Sequence, residues 1–443
     1  MDAFFTKYQI YIATTISVIA YFILGYFFER EQFYWLLFLY TLAFIGMISL
    51  LQTPEYEKTF FKIGLIYRIL FLFSTPVLSQ DFYRFIWDGN TILSGINPFQ
   101  YKPDTIINTI ASFPNTNYLY DKMGSLSASH YSNYPPINQL LFAISAFIGG
   151  KSILVSTMVL RIIIILADIG IYYYGRKILL HFNKNTENIF WYFLNPLVIL
   201  ELTGNLHFEG VMLFFLVVGL YYLLTKKWII AAVFIALSIS VKLLPLLLLP
   251  LFLNYLGFKK SVLFYSLIIS LNVLFFLPFI NPTLINNYVA TISLWFTNFE
   301  FNASLYYLAR EVGFYVKGYN IIHSIGQITP IITILIILFF AFLKKNKSVD
   351  TIAVNALLVI TLYLFISTTV HPWYVINLIL LSVFTKYKFT IVWSFVIILS
   401  YYAYSVFPFK ENIFLIITEY SIVYLMFIYE LRKNNLQEMN NAR

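Results

Sequence analysis

Apolar runs long enough to cross a bilayer follow one another along nearly all of this 443-residue chain, leaving few surfaces that water could cover. A spanning α-helix needs about 20 mostly apolar residues to cross ~30 Å of hydrocarbon. With 60% hydrophobic and only 11% charged residues, the chain belongs in lipid. A transmembrane β-barrel alternates apolar and polar positions, whereas residues 243–253 and 331–343 are apolar on every side. The expected fold class is therefore all-α and polytopic, with about 12–14 membrane segments. The runs fall near 8–28, 33–51, 63–79, 152–175, 187–203, 210–224, 228–241, 243–257, 261–280, 322–343, 350–369, 372–385, 389–406 and 412–430. The first lacks a small-residue cleavage site and reads as a retained helix.

Charge gives this ladder a direction. Lys and Arg gather in short clusters at alternate span ends: Arg176 with Lys177, Lys226 with Lys227, Lys259 with Lys260, Lys344 with Lys345, Lys386 with Lys388, and Arg432 with Lys433. This is the positive-inside pattern, and it places the N-terminus in the cytoplasm. The net charge of +9 is thus mainly a topology signal, and nucleic acid is not an expected partner. Absence of cysteine excludes disulfides, thiolate metal sites and cysteine nucleophiles. Frequent Ile, Lys, Asn, Phe and Tyr, residues with A/T-rich codons, point to a bacterial inner (plasma) membrane.

The long polar interruptions, residues 80–151 and 281–321, both fall on the extracytoplasmic side, where function is expected. Residues 137–149, preceded by Tyr134, Pro135 and Pro136, are too short to cross and read as an interfacial helix. No soluble domain or internal repeat interrupts residues 1–443, so one membrane domain is expected.

The chemistry-bearing residues cluster at that outer side. Asp81, Arg84 and Asp88 follow the third run, and on a helix Asp81 shares a face with Arg84 and with Asp88. A carboxylate at the rim of a partly desolvated cavity can accept a proton from a sugar hydroxyl. The segment NPLVILELTGNLHFEG brings Glu201, Asn205, His207 and Glu209 toward one pocket, and Glu201 lies within an apolar run. His207 and Glu209, two residues apart, do not share a helix face, so no metal site is expected. Lys242 is set among apolar residues between two helices broken by Pro245 and Pro250, a position suited to a phosphate. Arg161 and Asp168, seven apart, form either an internal polar pairing or part of a site. Glu300, Asn302 and Arg310 sit among aromatics in the second outer stretch, and His371, Pro372, Trp373 and Tyr374 begin another short span. Aromatic faces beside hydrogen-bonding groups suit a sugar ring.

In this order, DFYRFIWDG, GINPF, YPPINQLLFA, NPLVILELTGNLHFEG, KLLP, FEFNASLYYL and HPWY resemble the GT-C superfamily of polytopic membrane glycosyltransferases. The likeness runs over about residues 80–375 and is greatest to bacterial mannosyltransferases dependent on polyprenyl-phosphate mannose. It implies transfer of one sugar, with mannose the expected one, from a polyprenyl-phosphate donor to a glycan or glycolipid acceptor, without a cofactor or metal. It implies an inverting displacement with an aspartate base, matched here by Asp81. Relatives carry two adjacent acids at this point, whereas Gln80 precedes Asp81, which leaves the base open between Asp81 and Asp88. Arg84, Arg161, Lys242 and His371 are the expected donor-phosphate contacts. Trp87, Tyr134, Glu201, Asn205, His207, Glu209, Glu300, Asn302, Trp373 and Tyr374 are the expected substrate contacts. A lipid-linked sugar flippase or transporter, and a surface-polysaccharide polymerase or ligase, are the competing readings. Transporters more often show repeated halves with midplane sites, whereas these polar residues gather at one face.

Overall fold

A computed structural model describes residues 2–53, 57–344 and 346–441, so Lys345 of the basic cluster above lies outside the described residues. Helices follow the apolar runs: α1 (Asp2–Tyr26), α2 (Phe33–Leu51) and α3 (Glu57–Ile69) come first. The first loop carries α4 (Asp81–Leu93), α5 (Thr116–Ala128) and α6 (Pro136–Gly149), before the long α7 (Ile153–His181). Next come α8 (Pro196–Gly204), α9 (Glu209–Leu224), α10 (Trp228–Val241), α11 (Leu244–Leu256) and α12 (Phe258–Phe279). The second loop folds into α13 (Leu284–Thr297) and α14 (Leu305–Lys317). The chain finishes with α15 (Ile322–Leu343), α16 (Val349–Ile366), α17 (Pro372–Val383), α18 (Phe389–Tyr404) and α19 (Ile413–Asn441). Among the described residues, the β-type pairing is one isolated bridge, Phe301 to Thr369.

The all-α polytopic class holds. Among the described residues, seven helices are long and apolar enough to cross singly, and the pair α8 and α9, bent by 113°, counts as an eighth if the two are one broken span. The other apolar segments, α6, α10, α11, α17 and α18, are shorter, so single straight crossings are fewer than the 12–14 segments expected. The third run departs most from the sequence reading. α3 stops at Ile69, and the chain then runs through turns and irregular backbone to Gln80, because Ser74, Thr75 and Pro76 interrupt the helix. Irregular backbone at membrane depth must find partners inside the protein. Here Leu70 O accepts from the Tyr26 hydroxyl (2.8 Å), Leu72 O from Arg161 (3.0 Å), and Leu78 N donates to Asn205 Oδ1 (3.2 Å).

The first loop is anchored to the bundle. α4 lies against α6 so closely that a Cβ on Gly89 would come within 2.3 Å of Phe142 O, which leaves room only for glycine. α5 is broken at Gly124, whose φ of +79° belongs to the left-handed region, and there the Gln80 amide donates to Met123 O (3.0 Å). One face of α6 is buried on α4 and α7, while Leu140, Phe147 and Ile148 point outward, an apolar face that a helix at a lipid interface requires.

Three arginines, Arg68, Arg84 and Arg161, are buried among the described residues. Arg68 and Asp168 pair at 2.7 Å with both side chains fully buried. Asp168 also accepts from Tyr192 (2.8 Å), and Arg68 donates to Gly64 O and Phe193 O. Asp168 therefore pairs with Arg68 rather than with Arg161. Asp168→Asn strands a buried guanidinium, and breaking such pairs costs about 3–5 kcal/mol. A clearly lowered thermal midpoint of the purified protein in detergent is expected; an unchanged midpoint would falsify the pair's structural role.

Candidate active site

The break between α8 and α9 builds the centre of the site. α8 ends in a wide turn over Ile199–Gly204, and Leu206 takes a left-handed φ of +64°, a strain of about 1–3 kcal/mol for a non-glycine residue. The chain thereby reverses within residues 205–208 and presents Glu201, Asn205, His207 and Glu209 on one side. Glu201 is buried and accepts from the Tyr401 hydroxyl (2.5 Å) and Asn205 (3.3 Å), with His207 Nε2 at 3.4 Å. The His207 ring stacks on Trp373 (centroids 3.7 Å apart), and Trp373 stacks on His371 (4.3 Å). The result is a three-ring column from the α8–α9 break to the start of α17.

Lys242 ends α10 in extended backbone and forms an ion pair with Glu209. Glu209 is buried while Lys242 stays about one-fifth exposed. Asp81 opens α4 beside this pair, with Lys242, Arg30 and Glu209 in electrostatic reach. Tyr134 and Tyr374 lie within reach of both Asp81 and Glu209. The Asp81 carboxylate accepts no hydrogen bond from a described residue; its backbone N–H donates to Ser79 Oγ (3.2 Å). Burial pushes the Asp81 carboxyl above its usual range; Lys242 and Arg30 offset part of that shift, and Glu209 adds to it. Burial, aided by Lys242, holds His371 down to about 3, so its imidazole is neutral. His207 Nε2, Glu209 Oε2 and His371 Nδ1 are buried without a hydrogen-bond partner. Orphaned polar atoms gathered in one place are what a polar ligand satisfies.

The structure thus brings Asp81, Tyr134, Glu201, Asn205, His207, Glu209, Lys242, His371, Trp373 and Tyr374 to one place. The remaining expected site residues lie elsewhere. Asp88 is saturated: Oδ1 binds Arg84 (2.6 Å), and Oδ2 accepts from Ser132 (2.6 Å) and Gln139 (3.1 Å). Arg84 also donates to Ser127 O and His130 O. This pair fastens α4 to the stretch before α6, because i,i+4 spacing joins the two side chains more directly than either reaches Asp81. Trp87 is buried against Phe113 and Tyr120, as packing rather than as a sugar platform or interfacial anchor. Arg161 spends its donors on Leu72 O, Thr203 O and Gly204 O and is fully buried, so it caps broken backbone and does not face a phosphate. Asn302, with a left-handed φ of +46°, ties its segment to Glu411 and Glu419. Glu300 pairs with Arg310 (2.8 Å) in a neighbouring cavity. No group of three or more His, Asp or Glu side chains converges as a metal site among the described residues.

Sequence reasoning missed Arg30, Tyr401 and Tyr404. The Arg30 guanidinium lies 3.6 Å over the Tyr404 ring and within electrostatic reach of Asp81. Its signal was present: an arginine in the short turn between the first two spans, which the charge pattern predicts to be outer, runs against the positive-inside bias. The two tyrosines carry no such mark.

These features define a polytopic helical membrane protein in which an acid, two cations and two imidazoles stacked on one tryptophan gather in one place. The chain belongs to the MptA_B family, described as alpha-(1->6)-mannopyranosyltransferase, N-terminal domain, whose profile matches residues 21–256, more than half of the sequence. Among similar proteins, alpha-(1->6)-mannopyranosyltransferase A of Mycobacterium tuberculosis is 24% identical over 203 residues, 45% of this chain and 38% of the relative. The protein of that name from Corynebacterium glutamicum is 23% identical over 198 residues, 42% of this chain and 38% of the relative. The alignments thus cover well under half of the relatives' length. No solved structure matches the chain.

Because Asp88 supports the loop, Asp88→Asn should lower thermal stability by about 1–3 kcal/mol, as for a buried charged hydrogen-bond network. The folded fraction should still bind donor; loss of donor binding at full stability would place Asp88 in the site instead.

Proposed function

We propose that this protein transfers a single mannose from polyprenyl-phosphate mannose to a hydroxyl of a glycan or glycolipid, at the extracytoplasmic face of a bacterial inner membrane. The observation that carries the reading is the Asp81 carboxylate, free of hydrogen bonds, beside Lys242 and the unsatisfied polar atoms of Glu209, His207 and His371. The family and its relatives' names supply the sugar and the α-(1→6) linkage. Orientation is read from charge: the basic clusters fall at alternate span ends along the sequence, and this positive-inside pattern supports a site on the outer side and a cytoplasmic N-terminus.

In the proposed reaction Asp81 accepts the proton of the acceptor hydroxyl as its oxygen bonds to the anomeric carbon of the donor. The bond from that carbon to the phosphate oxygen breaks, and polyprenyl phosphate leaves with the electron pair. A single displacement inverts configuration, so an α-linked product requires a β-linked donor. Lys242 and Arg30 stabilise the charge that grows on the leaving phosphate, and preorganised cations in a water-poor hollow count most at that moment. Neutral His371 and His207 supply N–H donors or take up a proton there. The phosphate competes with Glu209 for Lys242, so the resting ion pair holds the ammonium in place until donor arrives. The isoprenoid chain lies against the lipid-facing helices.

Asp81→Asn should reduce transfer of radiolabelled mannose by about 10²–10⁴-fold while donor binding is largely kept. Near-normal turnover would remove Asp81 as base. Since Asp81 works ionised and its carboxyl lies above the ordinary Asp value of about 3.9, kcat/KM should fall with acidity on a limb above that value. Lys242→Met should weaken donor binding about tenfold or more, as loss of a charge-assisted contact. Unchanged donor affinity in a binding assay would refute the phosphate role, and absence of transfer by the wild type would favour a flippase.

A further inference from the structure

Helix α14, between the second and last thirds of the bundle, turns an apolar face away from its packing partners. Leu305, Leu308, Val312, Tyr315 and Val316 recur at i, i+3, i+7, i+10 and i+11, one side of a helix, and all are exposed, Tyr315 to 93%. The other side is committed inward: Tyr306, Tyr307 and Gly313 are buried, and Arg310 pairs with Glu300.

Length and position decide what covers the apolar side. The 13 residues of α14 rise about 20 Å, too little to cross ~30 Å of hydrocarbon. Residues 318–321 then lead directly into α15, a membrane span on which Ile328, Ile331, Ile334 and Leu335 are exposed to lipid. The C-terminal end of α14 is therefore four residues from the start of a span. Tyr315, Lys317 and Tyr319 stand at that end, aromatic and basic residues of the kind that settle at headgroup level, and Lys317 makes no hydrogen bond or ion pair with a described residue. This is also the end of the bundle that holds Asp81, because Tyr307 donates to Glu411, and Tyr404 is within electrostatic reach of both Glu411 and Asp81.

We infer that α14 is a membrane-surface helix, lying in the plane of the bilayer with its apolar side in the boundary between headgroups and acyl chains and Glu311 turned to water. A lipid surface suits this side better than a protein partner, since the stripe holds no charged group to specify one and continues along the chain into the lipid-facing side of α15. Anchoring α14 fixes the loop behind it. Tyr306 and Tyr307 hold Glu300 and Glu411, Glu411 accepts from the Asn302 N–H (2.6 Å), and the adjoining Phe301 ring lies 5.1 Å from His371. The bilayer surface thereby sets where the second outer loop stands against the ring column. The inference rests on the membrane fold and is independent of the transferase reading.

The chain has no cysteine, so each introduced cysteine carries a single nitroxide label. Val312→Cys, Tyr315→Cys, Glu311→Cys and, as a lipid-facing standard, Leu335→Cys are labelled in the purified protein and placed in nanodiscs of phosphatidylethanolamine and phosphatidylglycerol. Electron paramagnetic resonance power saturation then compares relaxation by oxygen, which concentrates in hydrocarbon, with relaxation by a nickel chelate, which stays in water. The oxygen-to-nickel ratio in Val312→Cys and Tyr315→Cys should exceed that in Glu311→Cys several-fold and approach that in Leu335→Cys. Leu308→Cys takes the place of either variant that fails to fold. Equal, nickel-dominated relaxation at all the α14 positions would place the apolar side in water and overturn the inference. Labels in Val312→Cys and Tyr315→Cys that are immobilised and shielded from both relaxants would overturn it too, showing that a second copy or another protein covers the helix.

Discussion

One buried guanidinium holds the site's two irregular backbones together. Arg161, on α7, donates at 2.7–3.2 Å to Thr203 O and Gly204 O at the end of α8, and to Leu72 O where the chain has left α3. Both are places where helical hydrogen bonding has stopped within an apolar surrounding, and such carbonyls are costly unless something inside the protein donates to them. Asp81 is reached from the first break, and His207 and Glu209 from the second. A sequence that abandons regular helix twice at membrane depth thus needs a cation with several donors, and arginine supplies them in a rigid fork.

The division between supporting and reacting groups follows from hydrogen-bond saturation. Arg84, Asp88, Arg68, Asp168 and Arg161 are buried; both acids are bonded through both oxygens, and the arginines donate to acids or backbone carbonyls, with one nitrogen each of Arg68 and Arg84 left over. Asp81, Lys242 and Glu209 keep unused capacity, and so do the imidazoles of the ring column. Charge alone does not separate these groups: Asp81 and Asp88 lie on one short helix, seven residues apart. Asp88 has an arginine four residues before it and a serine and glutamine facing it, while the Asp81 carboxylate, at the helix start, accepts no hydrogen bond from a described residue.

The aromatic column couples distant parts of the chain without covalent or ionic ties. His207, Trp373 and His371 come from the α8–α9 break and from the HPWY turn, and Phe301 adds the second outer loop through its bridge to Thr369. Stacked rings of this kind fix orientation while leaving ring nitrogens free. Their placement explains why motifs weak in isolation form one site when taken in order.

The apolar runs by themselves determined the helical, multi-span class, and the charge clusters marked one end of the bundle for polar residues, because lipid leaves the backbone no alternative to helix. The motif order pointed to the residues around Asp81, Glu209, Lys242 and His371. What the runs did not contain was how each polar group spends its hydrogen bonds. Asp88 against Asp81, Arg161 against Lys242, and Trp87 against Trp373 look alike in a string of letters, and Arg30 looks like a loop residue. Tertiary structure decided among them, since a side chain's role depends on which neighbours across the bundle have already saturated it.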